Sequence, residues 1–222
     1  MTDFSLLLDC AAACAGTYEN FPATFEAKQH DAHVYLSEVQ GKLCLANEGT
    51  QSFQEWLRDF QALAETPHAH PLFGPLHRGL WETVDETFQD EVSYLADLGW
   101  PEFILTGHSK GAGEVLIKAA RFEYIGHPPA YVAAFEAPRM GSQVLCGYLW
   151  DITIVQTATV NAARRDIVTL APDGPMIPLH PLHFWTDMRN PIRLPVPNSY
   201  DEATMHRIPA VLSAVARLAA SG

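Results

Sequence analysis

Basic side chains are scarce in this chain. Lys and Arg number 14 against 26 Asp and Glu, a formal net charge of −12. So acidic a protein is a poor partner for nucleic acid and is repelled by anionic membrane surfaces. Cysteine is also scarce: Cys10, Cys14, Cys44 and Cys146 have no disulfide-framework spacing, and no Cys-x-x-Cys occurs. Cys10 and Cys14 share one face of an expected helix and read as small core residues rather than metal ligands. No apolar run approaches transmembrane length, which argues against a stable membrane anchor. The N-terminus lacks a basic region, and Asp3 and Asp9 bracket its short apolar run, so it does not read as a signal peptide. The chain as written reads as cytoplasmic, with secretion or virion association left open. No internal repeat or linker is visible. Residues 1–222 read as a single domain, and a hydrophobic content of 48% is enough for one substantial core.

What is present centres on residues 103–113, Phe-Ile-Leu-Thr-Gly-His-Ser-Lys-Gly-Ala-Gly. Phe103, Ile104 and Leu105, bounded by Pro101, read as a buried strand. Residues 114–121, with Val115, Leu116, Ile117 and Ala119 and no breaker, read as a helix. The G-x-S-x-G between them is therefore a strand–turn–helix elbow that holds Ser109 in a strained, exposed conformation at the positive end of a helix. Gly107, Gly111 and Gly113 let the two backbones approach.

Around this elbow the periodicity predicts a helix over 3–15 and a hairpin over 33–46 turning at Gln40-Gly41. Ser52 and Glu55 form a capping box that opens a helix over 52–64, with Phe53, Trp56, Leu57 and Phe60 on one face. Three prolines in 66–75 predict irregular structure there, with His68 and His70 solvated rather than metal-bound. The longest helix runs over 78–98, with Glu82, Asp85, Glu86, Asp90 and Glu91 on its solvated side, and Gly99 ends it. Further strands are expected at 130–135 and 152–160, strand-like pieces at 182–186 and 192–196, and helices at 142–150 and 208–219. Strands alternating with helices predict an α/β fold whose sheet is mostly parallel in its centre.

On such an elbow the acid and base follow the serine in the order Ser, Asp, His. Asp166 lies just after the 152–160 strand and its turn. Asp173, Asp187 and Asp201 sit in less regular surroundings, and Asp151 precedes its strand. For the base, His180, His183 and His206 remain. His206, on the approach to the last helix, is favoured over His183, which alternates with apolar residues as a structural strand position does. His206 would take the Ser109 proton as the hydroxyl attacks an acyl carbon, with Asp166 fixing the imidazole tautomer. Activity should then fall at acid pH, because a protonated imidazole cannot accept that proton. The oxyanion needs at least two donors. One is the backbone N–H of Lys110. The Gly49-Thr50 loop supplies the other, with both an N–H and a hydroxyl at Thr50.

Several separated motifs resemble the class 3 lipases, the fungal triacylglycerol lipase type. Glu48-Gly-Thr50 before a Trp-containing helix is similar to the family's R-G-T loop. Leu76-His-Arg-Gly-Leu80 resembles V-H-x-G-F, residues 107–111 resemble G-H-S-L-G, and residues 135–141 resemble F-G-x-P-R-V-G. Residues 161–172 are similar to N-x-x-D-x-V-x-x-L-P with one extra residue on each side of Asp166, and the family's last histidine falls on His206. The resemblance implies an α/β-hydrolase fold with helices flanking the sheet. It also implies hydrolysis of a small-molecule or lipid ester without a metal or cofactor. Glu48 departs from the family's arginine. Lys110 replaces its leucine, as in compact bacterial members with G-H-S-K-G, and is expected to place a cation beside the acyl groove. The helix over 52–64 corresponds to the fungal mobile lid and is expected to be a fixed or barely mobile cap. Triacylglycerol lipase or carboxylesterase, phospholipase A1-type acyl hydrolase, and a non-catalytic binding module on the same fold are the three readings. Retention of Ser109, Asp166, His206 and Thr50 together argues against the last.

Overall fold

The computed structural model describes residues 3–19, 22–27, 29, 32–50, 68–138, 141, 143–149, 152–159, 192–197, 199 and 206–220. Among them the strands in chain order are β1 (Phe25–Ala27), β2 (Ala32–Val39), β3 (Lys42–Asn47), β4 (His68–His70), β5 (Gly74–Leu76), β6 (Phe103–His108), β7 (Tyr131–Phe135), β8 (Ile152–Thr159) and β9 (Ile192–Val196). The helices are α1 (Phe4–Gly16), α2 (Arg78–Asp97), α3 (Lys110–Tyr124), α4 (Gln143–Cys146) and α5 (Ile208–Ala219).

Seven strands form one sheet in the order β1–β2–β3–β6–β7–β8–β9. From β3 to β9 the neighbours are parallel, and β1 and β2 add an antiparallel edge. The β2–β3 hairpin turns at Gln40 and Gly41, both at positive φ (50° and 75°), the conformation that matches a tight turn to strand twist. Helices cover both faces, and β6 shows why. Its side chains alternate between Phe103 and Leu105, which join the core under α2 and α3, and Ile104, which joins the core under α1 and α5. Buried along its whole length, β6 opens on the apolar run Phe103–Leu105, as a central parallel strand should.

Helix α1 is capped by the Asp3 carboxylate, which accepts from the Ser5 and Leu6 N–H groups. It buries Leu7, Cys10, Ala11 and Cys14 against the sheet. Burial pushes the Cys10 and Cys14 thiols well up and the Cys44 thiol up to about 12, so all three stay protonated and serve as packing.

Several expectations are corrected. Residues 66–75 are not all irregular: β4 and β5 pair as a small ribbon, His68 opposite Leu76 and Ala69 opposite Pro75. In two-stranded pairing each strand has a free edge, which tolerates the missing N–H of proline. His70 is half-buried rather than fully solvated, its ring centroid 4.8 Å from that of Phe73 and 4.5 Å from that of Trp81. Glu91 does not belong to the solvated face of α2. It is fully buried against Lys118 of α3, with Nζ 2.6 Å from Oε1. The elbow helix begins at Lys110, four residues earlier than expected, because close packing overrides the poor helix propensity of its glycines. The 142–150 helix contracts to the single turn of α4, and β1 is a strand that no pattern announced.

Candidate active site

Ser109 links β6 to α3 at φ 57° and ψ −122°, a conformation that costs energy for any residue with a Cβ. Its surroundings over-determine it. The Ser109 N–H donates to the Phe135 carbonyl at 2.9 Å, and the Ser109 carbonyl accepts from Gly113 N–H at 3.2 Å. A Cβ at Gly107 would strike the Gly111 carbonyl, and one at Gly111 would strike the Asn47 and Glu48 carbonyls. Only glycine lets β6, α3 and the end of β3 meet this closely. Although Ser109 is the N-cap of α3, its hydroxyl makes no capping bond.

That hydroxyl meets His206 instead. His206 Nε2 lies 2.8 Å from Ser109 Oγ, 97 residues away in sequence. His206 stands just before α5, whose start carries Pro209. The serine was expected to be exposed, but it is 2% exposed and His206 5%, with the imidazole lying against the hydroxyl.

His108, the residue before the serine, holds this arrangement. Its Nε2 lies 2.6 Å from the His206 backbone carbonyl, which can only accept, so Nε2 donates. With that proton on Nε2, Nδ1 takes the Tyr18 hydroxyl as its partner at 2.7 Å. Tyr18 in turn is hydrogen-bonded to the Gly49 backbone, and burial above all raises its hydroxyl pKa well beyond the ordinary range. The chain of bonds thus joins the Gly49 loop, the elbow and the segment bearing His206.

Thr50 follows β3, half-buried. The loop that carries it packs on the elbow: a Cβ at Gly49 would stand 2.7 Å from the His108 carbonyl and 3.3 Å from Ser109 Cβ. Lys110 is the first residue of α3, where backbone N–H groups have no intrahelical acceptor. Its side chain is paired within its own helix. It is 12% exposed, with Nζ 3.6 Å from Glu114 Oε1. Glu48, in place of the expected arginine, is engaged from β2: His33 Nδ1 lies 2.8 Å from its carboxylate, and the Tyr35 hydroxyl donates at 3.3 Å.

Asp166, the alternatives His180 and His183, and the 52–64 helix lie outside the described residues. Among the described residues no group of three His, Cys, Asp or Glu is placed to hold a metal ion. Nor is any helix there long and apolar enough to cross a membrane. Sequence reasoning missed the roles of Tyr18, Asn47 and Glu114. Glu114 carried a signal, as a carboxylate directly before the apolar run Val115–Ile117, and Asn47 a weaker one, as the polar end of such a run; Tyr18 carried none.

Comparison with known proteins places the chain. The sequence model of the family described as Lipase (class 3) matches residues 44–174. The fold is similar to a triacylglycerol lipase from Penicillium expansum, at TM-score 0.58 and 13% identity over 91% of this chain and 80% of that one. It is similar to lipase II from Rhizopus niveus, at TM-score 0.57 and 15% identity over 76% and 73%. A triacylglycerol lipase whose catalytic centre is a serine protease triad matches at TM-score 0.57 and 14% identity over 76% and 72%. No curated protein matches the chain.

Proposed function

The chain belongs to the class 3 lipase family and is a carboxylic ester hydrolase, and from that premise we propose that it cleaves acylglycerols or simpler esters through Ser109, His206 and Asp166. The observation that carries this reading is the 2.8 Å approach of His206 Nε2 to the hydroxyl of a serine held at positive φ.

Ser109 Oγ attacks the acyl carbon while its proton passes to His206 Nε2. Asp166 keeps the imidazole in the tautomer that accepts this proton and stabilises the imidazolium. The tetrahedral oxyanion is held by the Lys110 N–H and by Thr50. His206 then protonates the departing alkoxide, which leaves an acyl-enzyme. Water, deprotonated by the same imidazole, releases the carboxylic acid and restores the serine.

Two measurements test this. A fluorophosphonate should label the protein at Ser109 and nowhere else, and an unlabelled Ser109 contradicts the assignment. A chain-length series of p-nitrophenyl esters beside a phospholipid then sets the substrate class. Turnover of the carboxylic esters ahead of the phospholipid supports this reading. Faster release of the phospholipid acyl chain reassigns the protein as a phospholipase A1-type hydrolase.

A further inference from the structure

Glu114 lies in the first turns of α3 and is 1% exposed. Its Oε2 accepts from Asn47 Nδ2 at 2.8 Å, and its Oε1 faces Lys110 Nζ at 3.6 Å. A buried carboxylate is costly to desolvate, and packing alone would favour an apolar residue here, as at the neighbouring Val115, Leu116 and Ile117. Its partners suggest what the carboxylate does. Asn47 ends β3, three residues before Thr50, and its backbone packs directly on Gly111. Lys110 opens α3 and carries the backbone N–H that follows the nucleophile.

We propose that Glu114 is a positioning residue for the oxyanion site, its carboxylate tying the β3 arm at Asn47 to the α3 arm at Lys110 and so fixing the spacing of the two donors. The inference rests on the assignment of Thr50 and the Lys110 N–H as those donors. Donors stabilise a developing oxyanion only when they are already at hydrogen-bond distance from it, so a link that sets their separation acts on the transition state more than on the bound ester. The same helix holds a contrasting pair. Lys118 and Glu91, at 2.6 Å and both fully buried, join α3 to α2 about two turns beyond Lys110.

The test is hydrolysis of p-nitrophenyl butyrate by Glu114→Gln, with active sites counted by fluorophosphonate titration. We expect kcat per titrated site to fall about tenfold and KM to stay within about twofold. An alkylboronic acid, which forms a tetrahedral adduct with the serine, should bind about tenfold more weakly. Adding Lys110→Leu to Glu114→Gln should restore part of the rate, because the ammonium that Glu114 faced is removed as well. Lys118→Met should lower Tm but leave kcat per titrated site and boronate affinity at parental values. Should Glu114→Gln give no soluble protein, Asn47→Ala cuts the same link from the strand side and should show the same two losses. Parental kcat per titrated site in either soluble variant, with loss only in Tm, overturns the inference. Failure of the fluorophosphonate to label the parent protein is a distinct outcome, which contradicts the serine hydrolase reading and the inference with it.

Discussion

His108, at the end of β6, and His206, before α5, are buried to nearly the same degree, 4% and 5% exposed, with ring centroids 5.0 Å apart. Their nitrogens are used differently. His108 commits Nδ1 to Tyr18 and Nε2 to the His206 carbonyl, so both ring nitrogens are spent on holding other groups. His206 turns Nε2 to the Ser109 hydroxyl, a group with a proton to give. Burial therefore does not separate a base from a tether. The partner at each ring nitrogen does: the hydroxyl before His108 is that of Tyr18, which burial keeps protonated, and the hydroxyl before His206 is that of the elbow serine.

The largest expected effect falls on His206. His206→Ala should lower kcat by about 10⁴ or more, the scale seen when one member of a serine triad is removed. His183→Ala, at a position outside the described residues, should act mainly on stability. Exchanged outcomes would break the assignment of the two roles. Next comes the oxyanion side. Thr50→Val should cost about 10²–10³ in kcat, with a smaller change in KM, while Thr50→Ser keeps most of the rate. Equal turnover by Thr50→Val and the parent would show that the hydroxyl is not a donor. The smallest effect belongs to the tether. Tyr18→Phe removes the donor to His108 Nδ1 and should lower kcat about tenfold, the scale of one buried hydrogen bond, with KM little changed. A parental rate there would reduce the Tyr18–His108–His206 chain to packing.

Much of this was legible along the chain because the signals are local. The hairpin, α2, β9 and α5 follow from periodicity and turn residues, and the elbow follows from three glycines around a serine between apolar runs. The preference for His206 over His183 rests on its place before the last helix and on the apolar alternation around His183; in the structure His206 Nε2 lies 2.8 Å from Ser109 Oγ. What escaped depends on partners distant in sequence. Glu91 reads as surface until Lys118, 27 residues on, is packed over it. That Lys110 has Glu114 as a partner emerges only once the carboxylate is found turned toward it. Tyr18 acquires its role only when the end of α1 is brought against His108, 90 residues away. The β4–β5 ribbon was hidden by its prolines, which local rules count against any strand.

The most direct test of the central claim is the turnover of Ser109→Ala on a short p-nitrophenyl ester, measured beside the parent and with melting curves for both. The substitution removes the nucleophile and keeps the Cβ, so the elbow backbone is unchanged. The account predicts a protein that melts like the parent, takes no fluorophosphonate and has lost nearly all hydrolysis. Parental turnover in a clean, folded Ser109→Ala preparation would contradict it.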